Sequence, residues 1–270
     1  MSSSLPAPPE EALRRFLDRD GELAYVVDPA PAVLEPLVDV LDASDATPDA
    51  RLLVDADQLD DEVEDFLFAS ALADLTERGA VRVRTDTGFR NANLLLFPGA
   101  AVQVFDLEVR LGGVETEAAD LVEALADAAE DRWVAADDFE LRTPARSAIR
   151  DTLASQLGAE AESDFSAIVD SLETARGDGA GLDEVTIALL VAAKNEALLY
   201  DISKWGEDVG LASKATFSRT KSTLEELGLI ATEKVPIDVG RPRLRLKFAD
   251  ERLREASPDE LASVAQALMG

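Results

Sequence analysis

Residues 213–230 read SKATFSRTKSTLEELGLI, and this stretch decides the fold of the C-terminal part of the chain. Ser213 is a favourable N-cap residue and Gly228 a favourable helix terminator, so the sequence predicts a helix from Ser213 to about Leu227. The spacing of its apolar residues indicates one buried face. The residues expected on that face are Phe217, Leu224 and Leu227, with Leu229 and Ile230 packing behind the helix end.

The opposite face of this helix carries hydroxyl side chains and cations. Arg and Lys bind guanine edges, and Ser and Thr bind bases or phosphates. A helix N-terminus also attracts phosphate. We therefore expect this face to enter the major groove of double-stranded DNA. Its residues are Ser213, Lys214, Thr216, Ser218, Arg219, Lys221 and Ser222.

A basic β-hairpin is predicted immediately downstream, with strands at 231–237 and 242–248. In the second strand apolar and cationic residues alternate, so one face is expected to pack and the other to be cationic. An arginine at the tip, Arg241, is expected to enter a minor groove or bind phosphate. The alternative is that these bases only keep an edge strand soluble. The alternating residues are Leu244, Leu246 and Phe248 against Arg243, Arg245 and Lys247.

Two further helices, at 183–195 and 202–209, and a tight turn at 210–212 precede the first stretch. The order of helix, helix, turn, helix and basic hairpin resembles winged helix-turn-helix transcription factors, and SKATFSR followed by LEELGLI resembles their recognition-helix signature. The resemblance covers residues 183–248 and implies DNA binding. Winged-helix domains that bind RNA or only protein have the same order, so a protein-interaction adaptor is the alternative function.

The charge distribution supports this interpretation. The chain has 26 Lys and Arg against 55 Asp and Glu, a formal net charge of −29. Residues 214–247 reverse the sign, with eight basic and four acidic residues. The acidic, lysine-poor composition resembles proteins of extremely halophilic archaea, because molar salt screens the self-repulsion of such a surface.

The composition excludes most catalytic chemistry. The chain has no Cys and no His, so thiolate nucleophiles, imidazole bases and zinc sites built from either residue are absent. No glycine-rich nucleotide loop follows a strand, and no cofactor, metal or enzymatic activity is expected. No apolar segment is long enough to cross a membrane and no signal peptide is recognisable, so we expect a cytoplasmic protein.

The N-terminal part is predicted to be an α/β layer domain with a mixed sheet. Residues 1–9 are expected to be a loose N-terminal segment. Gly112-Gly113 is expected to end the preceding strand, and a helix is expected at 114–129. A hairpin is expected at 93–111 about Pro98-Gly99. The remaining predicted elements are helices at 10–18, 32–41 and 60–77 and strands at 23–27, 51–54, 81–85 and within 133–142.

The chain is predicted to have three parts: an α/β sensor domain at 1–142, a helical connector with a Gly-rich linker at 143–181, and the DNA-binding domain with a closing helix at 182–270. The connector helices are expected at 144–157 and 163–176, the first capped by Thr143-Pro144. A homodimer is expected because one recognition helix reads few bases. The connector helices and the closing helix, capped by Ser257, are its expected contacts; the closing helix is equally suited to packing on its own domain.

A C-terminal winged helix joined to an α/β domain without catalytic residues resembles the haloarchaeal TbsP family of transcriptional regulators. More distantly, and with the domain order reversed, it resembles the TrmB-type sugar-responsive regulators, whose sensor domain has a phospholipase D-like fold. The hairpin at 94–105 is similar to the hairpin of that fold. Phospholipase D activity itself requires a His nucleophile, which this chain lacks. The resemblance implies a regulator that responds to a sugar or sugar phosphate of central carbon metabolism.

Open α/β sheets bind ligands at the carboxyl ends of their strands, where this sequence places polar residues. Hydroxyls, amides and carboxylates suit a sugar, and an arginine suits a phosphate. The alternative is that these are ordinary turn residues, because Asp, Thr and Asn favour turns. The candidate effector residues are Asp28, Asp55, Thr85, Asp86, Arg90 and Asn91.

Overall fold

The computed structural model describes residues 2–18, 22–44, 49–86, 92–174, 182–236 and 242–269. The chain divides into two compact units, Met1–Leu141 and Arg142–Gly270. None of the helices within the described ranges is long and apolar enough to span a membrane.

The first unit is an α/β domain built on a mixed sheet, as predicted. Its strands are β1 (Ser2–Ala7), β2 (Tyr25–Val27), β3 (Ala50–Val54), β4 (Val81–Thr85), β5 (Leu94–Phe97), β6 (Ala100–Asp106), β7 (Leu111–Thr116) and β8 (Asp137–Asp138). Its helices are α1 (Pro9–Leu17), α2 (Pro31–Asp42), α3 (Ala56–Glu62), α4 (Phe66–Glu77) and α5 (Ala119–Ala135).

The eight described strands lie in the order β1-β7-β6-β5-β2-β3-β4-β8. The central strands β2, β3 and β4 are parallel, whereas β5, β6 and β7 form an antiparallel meander beside β2. Helices α1, α2 and α4 bury one face of this sheet in a large apolar cluster. Helix α5 covers the other face, through Val122, Ala129 and Trp133. This face therefore has a much thinner cover.

The prediction of a loose N-terminal lead-in is wrong. Residues Ser2–Ala7 form the edge strand β1, antiparallel to β7, with an irregular register between Ser4 and Ala7. Pro6 lies in that irregular segment, and an edge strand tolerates proline because the outward side of the strand needs no N–H. The high Ser and Pro content of this segment does not predict a strand, and β1 forms because it pairs with β7.

The predicted helix at 60–77 is two helices, α3 and α4. The backbone N–H groups of Leu67 and Phe68 donate to Asp65 Oδ1 at 2.7 and 3.0 Å, so Asp65 caps α4. Asp55 caps α3 by accepting from Gln58 N at 3.3 Å. The apolar periodicity runs through both helices, and only the capping aspartates mark the break.

Gly112 and Gly113 lie inside β7 rather than ending a strand, so the helix predicted from Val114 begins only at Ala119. A Cβ on Gly113 would lie 2.7–2.8 Å from the ring of Phe16, so glycine lets α1 pack closely on the sheet. The strand predicted within 133–142 is also largely wrong, because α5 continues through Trp133 and only Asp137–Asp138 pairs with β4.

The second unit is mainly helical. Its elements are α6 (Arg146–Leu157), α7 (Ala159–Thr174), α8 (Glu184–Lys194), α9 (Leu199–Asp208), α10 (Lys214–Glu226), β9 (Ile230–Val235), β10 (Arg243–Phe248), α11 (Glu251–Glu255) and α12 (Leu261–Met269). The cap of α6 is Ala145, two residues beyond the predicted Thr143, since the first helical hydrogen bond runs from Ile149 N to Ala145 O. Helix α11 was not predicted.

Apolar residues of α6 and α7 are buried within this unit, among them Ile149 and Phe165. The closing helix α12 buries Leu261 and Ala265 and follows a short 3-10 turn, Pro258–Glu260, with the capping box that Ser257 predicts. The predicted Gly-rich linker, residues 176–181, lies outside the described residues.

Candidate nucleic-acid interface

Helix α10 begins and ends where its sequence predicts. Ser213 Oγ accepts the backbone N–H of Thr216 at 3.1 Å and caps the first turn. At the other end Gly228 has φ +76°, and Leu229 N donates to Leu224 O at 2.9 Å, which closes the helix.

The buried face of α10 is narrower than predicted. Phe217 and Leu224 are 0% and 2% exposed, but Leu227 is 45% exposed. At about 100° per residue, position i+7 lies roughly 20° from Phe217 around the helix, whereas i+10 lies roughly 80° away. Leu227 therefore falls at the edge of the face, and placing it in the core was wrong.

Helix α9 holds α10 through close packing. A Cβ on Gly206 would clash with the ring of Phe217, so only glycine allows the two helices to approach this closely. Trp205 is fully buried, and its Nε1 donates to Thr152 Oγ1 of α6 at 3.0 Å. The packing of α9 against the buried face of α10 thus fixes the orientation of α10.

The β9–β10 hairpin is joined to the turn between α8 and α9. Leu198 forms an antiparallel bridge with Arg245, and Leu246 N donates to Ala197 O at 2.9 Å. Leu246 and Phe248 are buried, as the alternation predicts, whereas Leu244, expected on the same face, is only partly buried. Three helices, a bridging residue and a two-stranded hairpin in this order form a winged helix-turn-helix domain.

The outer face of α10 presents most of the predicted residues to solvent. Ser213, Lys214, Ser218, Arg219 and Ser222 are exposed, whereas Thr216 and Lys221 are partly buried. The structure therefore brings five of the seven together on one exposed surface, which extends from Ser213 to the third turn of the helix.

Two lysines of α10 already bind carboxylates. Lys214 Nζ hydrogen-bonds Glu207 of α9, which raises the pKa of the lysine and lowers that of the carboxyl. Lys221 Nζ lies 2.7 Å from Glu225 Oε2. By contrast, no described residue forms an ion pair with the exposed Arg219.

The cations of β10 also have partners. Arg243 stacks on Tyr200, with its Cζ 4.0 Å from the ring centroid, and its Nη1 lies 3.3 Å from Asp201 Oδ1. Lys247 Nζ lies 2.7 Å from Glu233 Oε2. Arg245 faces Glu233 in the hairpin register, and its buried Nε has no hydrogen-bond partner among the described atoms. Arg241 lies outside the described residues.

Sequence reasoning missed the acidic and aromatic residues that hold these cations. Glu207, Asp201, Tyr200 and Glu233 come from α9 and β9 and meet their partners only through tertiary structure. The exception is Lys221–Glu225, whose i, i+4 spacing on one helix was readable from the sequence.

The candidate effector residues have structural partners where the structure describes them. Asp28, 4% exposed, accepts Ala92 N at 3.3 Å, and Asp55 caps α3. Thr85 pairs with Asp137 between strands, and Asp86 Oδ2 lies 2.6 Å from Arg132 Nε. Arg90 and Asn91 lie outside the described residues. Within the described ranges, no group of three or more acidic side chains is arranged to hold a metal ion.

Two family models match the chain. The model described as transcriptional regulator TbsP-like, N-terminal, matches residues 1–144, and the model described as transcriptional regulator TbsP-like, C-terminal HTH domain, matches residues 145–266. The chain belongs to the TbsP-like family of transcriptional regulators, with a helix-turn-helix DNA-binding domain at its C-terminal end. This family is one of regulators and not of enzymes.

Among solved structures, the chain is similar to TrmBL2, an archaeal chromatin protein that shows a novel mode of DNA binding. The two are 13% identical with a TM-score of 0.35, over 52% of this chain and 55% of that one. The match thus spans about half the length of TrmBL2. A comparison with curated proteins finds no match.

Proposed function

We propose that this regulator recognises specific operator DNA by placing α10 in the major groove and the β9–β10 hairpin on the flanking backbone or minor groove. The observation that carries this is the position of Arg219. It is exposed in the second turn of a helix whose opposite side is fixed by Phe217, and no described acid pairs with it. Arginine in that position is the usual reader of guanine.

We infer that the cations that are paired with carboxylates contact the DNA phosphates. Lys214 is 44% exposed and Lys247 39%, so each can exchange its carboxylate for a phosphate without unfolding. Arg243 is held by Tyr200 and Asp201 at the loop end of the hairpin. These residues would position the protein on the duplex, while Arg219 supplies sequence discrimination.

The test is a pulldown of genomic DNA fragments in molar KCl, followed by sequencing and by affinity measurements on the enriched sites. Arg219→Ala should weaken binding to those sites by about 1–3 kcal/mol. Arg252→Ala is the matched control, because Arg252 lies on α11 and pairs with Asp250. A flat profile for the wild-type protein, with a protein partner recovered instead, would establish the adaptor function.

A homodimer is part of the proposal, since paired half-sites multiply the few bases that one α10 reads. Helices α6, α7 and α12 stay the proposed contacts, although much of their apolar surface is buried in their own unit. Light scattering in molar KCl should give twice the 28.9 kDa mass of one chain.

We also propose that the first unit is a phospholipase D-like sensor of a sugar or sugar phosphate. Its mixed sheet and its place in a family of regulators support this. The measurement is operator affinity with and without glucose or glucose 6-phosphate. If neither sugar changes the affinity, the unit senses a different chemistry.

The acidic surface suits a salt-rich cell interior. The formal net charge of −29 is tolerated when molar salt shortens the screening length to about 3 Å. Thermal unfolding followed across KCl concentrations should show the protein losing stability as salt is removed.

A further inference from the structure

A cavity lies between α5 and the sheet in the first unit. Its floor consists of alternate residues from neighbouring strands, including Leu94 of β5, Gln103 of β6 and Val114 and Thr116 of β7. Its roof is one face of α5, formed by Leu121, Leu125, Ala129 and Arg132 at helical spacing. Its volume is about 390 Å³, within the range of small-molecule sites.

The cavity follows from the composition of α5. Six of the 17 residues of this helix are alanine, and it is the element that covers this face of the sheet. Small side chains on the roof leave space that larger ones would fill. Apolar walls of this kind forgo dispersion contacts unless another molecule supplies them.

The lining of the cavity is mostly apolar. Of its twelve described lining residues, nine are Val, Leu or Ala, and the polar ones are Gln103, Thr116 and Arg132. Arg132 Nε is bound to Asp86 Oδ2 at 2.6 Å, so its charge is compensated within the protein. Gln103 donates its amide N–H to Ala92 O, which leaves its side-chain carbonyl to accept.

The mostly apolar lining of the cavity disfavours sugars and anions as ligands. A sugar has a hydroxyl on nearly every carbon, and each one buried without a partner is strongly unfavourable. An anion, including a sugar phosphate, meets a compensated cation inside a protein of net charge −29. Water also needs two to four polar partners to stay in a cavity.

We propose that this cavity binds a neutral, mainly apolar small molecule with a single polar end. That end hydrogen-bonds to Gln103 or to the hydroxyl of Thr116, and the apolar part contacts Leu94, Leu121 and Leu125. The proposal concerns the first unit alone. It therefore holds or fails independently of operator recognition by α10, and it assigns a different ligand class from the proposed sugar.

The experiment is calorimetric titration of the full chain in molar KCl with four probes: 1-octanol, octanoate, glucose and glucose 6-phosphate. Octanol should bind, and octanoate should bind at least about tenfold more weakly because of its charge. Neither sugar should bind in this cavity, so any sugar binding elsewhere in the first unit should be unchanged by the cavity variant described below. Absence of octanol binding, or binding of either sugar that the variant below abolishes, overturns the proposal.

The location is tested with Ala129→Leu, which adds a side chain to the roof. Octanol affinity should fall at least about tenfold. Ala135→Leu is the control, because Ala135 is exposed near the end of the same helix and does not line the cavity. Equal affinity in Ala129→Leu and wild type places the ligand elsewhere and contradicts the assignment.

A measurement on the wild-type chain does not depend on the variant folding. With methyl-labelled leucine, octanol should shift the resonances of Leu94, Leu121 and Leu125 and leave Leu224 of α10 unchanged. Shifts confined to other leucines overturn the proposal.

Discussion

The two units differ in their excess of acidic residues. Residues 1–141 contain 33 acidic and 10 basic residues, a net charge of −23, whereas residues 142–270 contain 22 and 16, a net charge of −6. In the first unit burial of Glu62, with a hydrogen bond and repulsion from Glu35, raises its pKa to about 7. In the second unit the hydrogen bonds from Lys214 and Lys247 lower the pKa of Glu207 and Glu233.

In the second unit, opposite charges are brought together on the candidate interface. Glu207, Asp201 and Glu233 lie against cations of α10 and β10, so in the proposed DNA complex phosphates would compete with carboxylates already in place. These ion pairs reduce the positive charge that the surface presents. In molar salt, where counterion release contributes little, such pairing keeps the cations oriented without relying on long-range attraction.

Packing separates the two units as well. Phe217 of α10 lies so close to Gly206 of α9 that no Cβ fits between them, whereas about 390 Å³ stays open beneath α5. Recognition of bases needs a rigidly held helix, and a ligand site needs space. The same contrast predicts how substitutions behave in each place.

The largest expected effect is on stability in the helix-turn-helix core. Phe217→Ala removes a fully buried ring between α9 and α10 and should lower the free energy of unfolding by about 3–5 kcal/mol. Leu125→Ala, on the partly buried cavity roof, should cost about 1–2 kcal/mol, since less contact is lost there. Urea unfolding in molar KCl measures both. Equal losses would show that α5 is packed as tightly as α10.

A smaller effect is expected from the pH dependence of Glu62. Its folded pKa of about 7 lies above the unfolded value of 4.5, so the folded state binds the extra proton. Stability should therefore fall as pH rises from about 4.5 to 7, and the loss is complete above that range. Glu62→Gln should raise Tm at pH 8 by roughly 2–4 °C and change it little at pH 4.

The control for that prediction is Glu64→Gln, which removes the same charge from an exposed neighbour. If both variants gain equally at pH 8, the gain comes from lower net charge. The local repulsion among Glu62, Glu35 and Asp65 would then have no measurable effect.

Much of the secondary structure of this protein could be predicted from local sequence. The caps at Ser213 and Gly228 placed α10 within a residue, and alternation placed Leu246 and Phe248 in the core. These signals are local because neighbouring residues in the sequence determine where a helix ends and which face of a strand is apolar. The mixed sheet was predictable for the same reason, from strands separated by helical segments.

Features that depend on distant partners were missed. Strand β1 is stabilised by its pairing with β7. Glycine is suited to position 113 of β7 because the ring of Phe16 packs where a side chain would otherwise lie. The partners of Lys214 and Arg243 come from α9, and no spacing rule connects them. The cavity beneath α5 was missed because alanine suits a tightly packed helix as well as an open one. Candidate effector residues at strand ends are an ambiguous signal, since turns use the same residue types.

The smallest expected effect tests the pairing of interface cations directly. Glu207→Gln removes the carboxylate that holds Lys214, and both side chains are almost half exposed. Surface pairs of this kind contribute little, so operator affinity should rise by at most about fivefold. Glu251→Gln on α11 is the charge-matched control and should have less effect. The gain should also require Lys214, so it should vanish in the background of Lys214→Ala. A gain that persists there would mean that Glu207 repels phosphate from a distance, and the pair would not be the competitor of DNA.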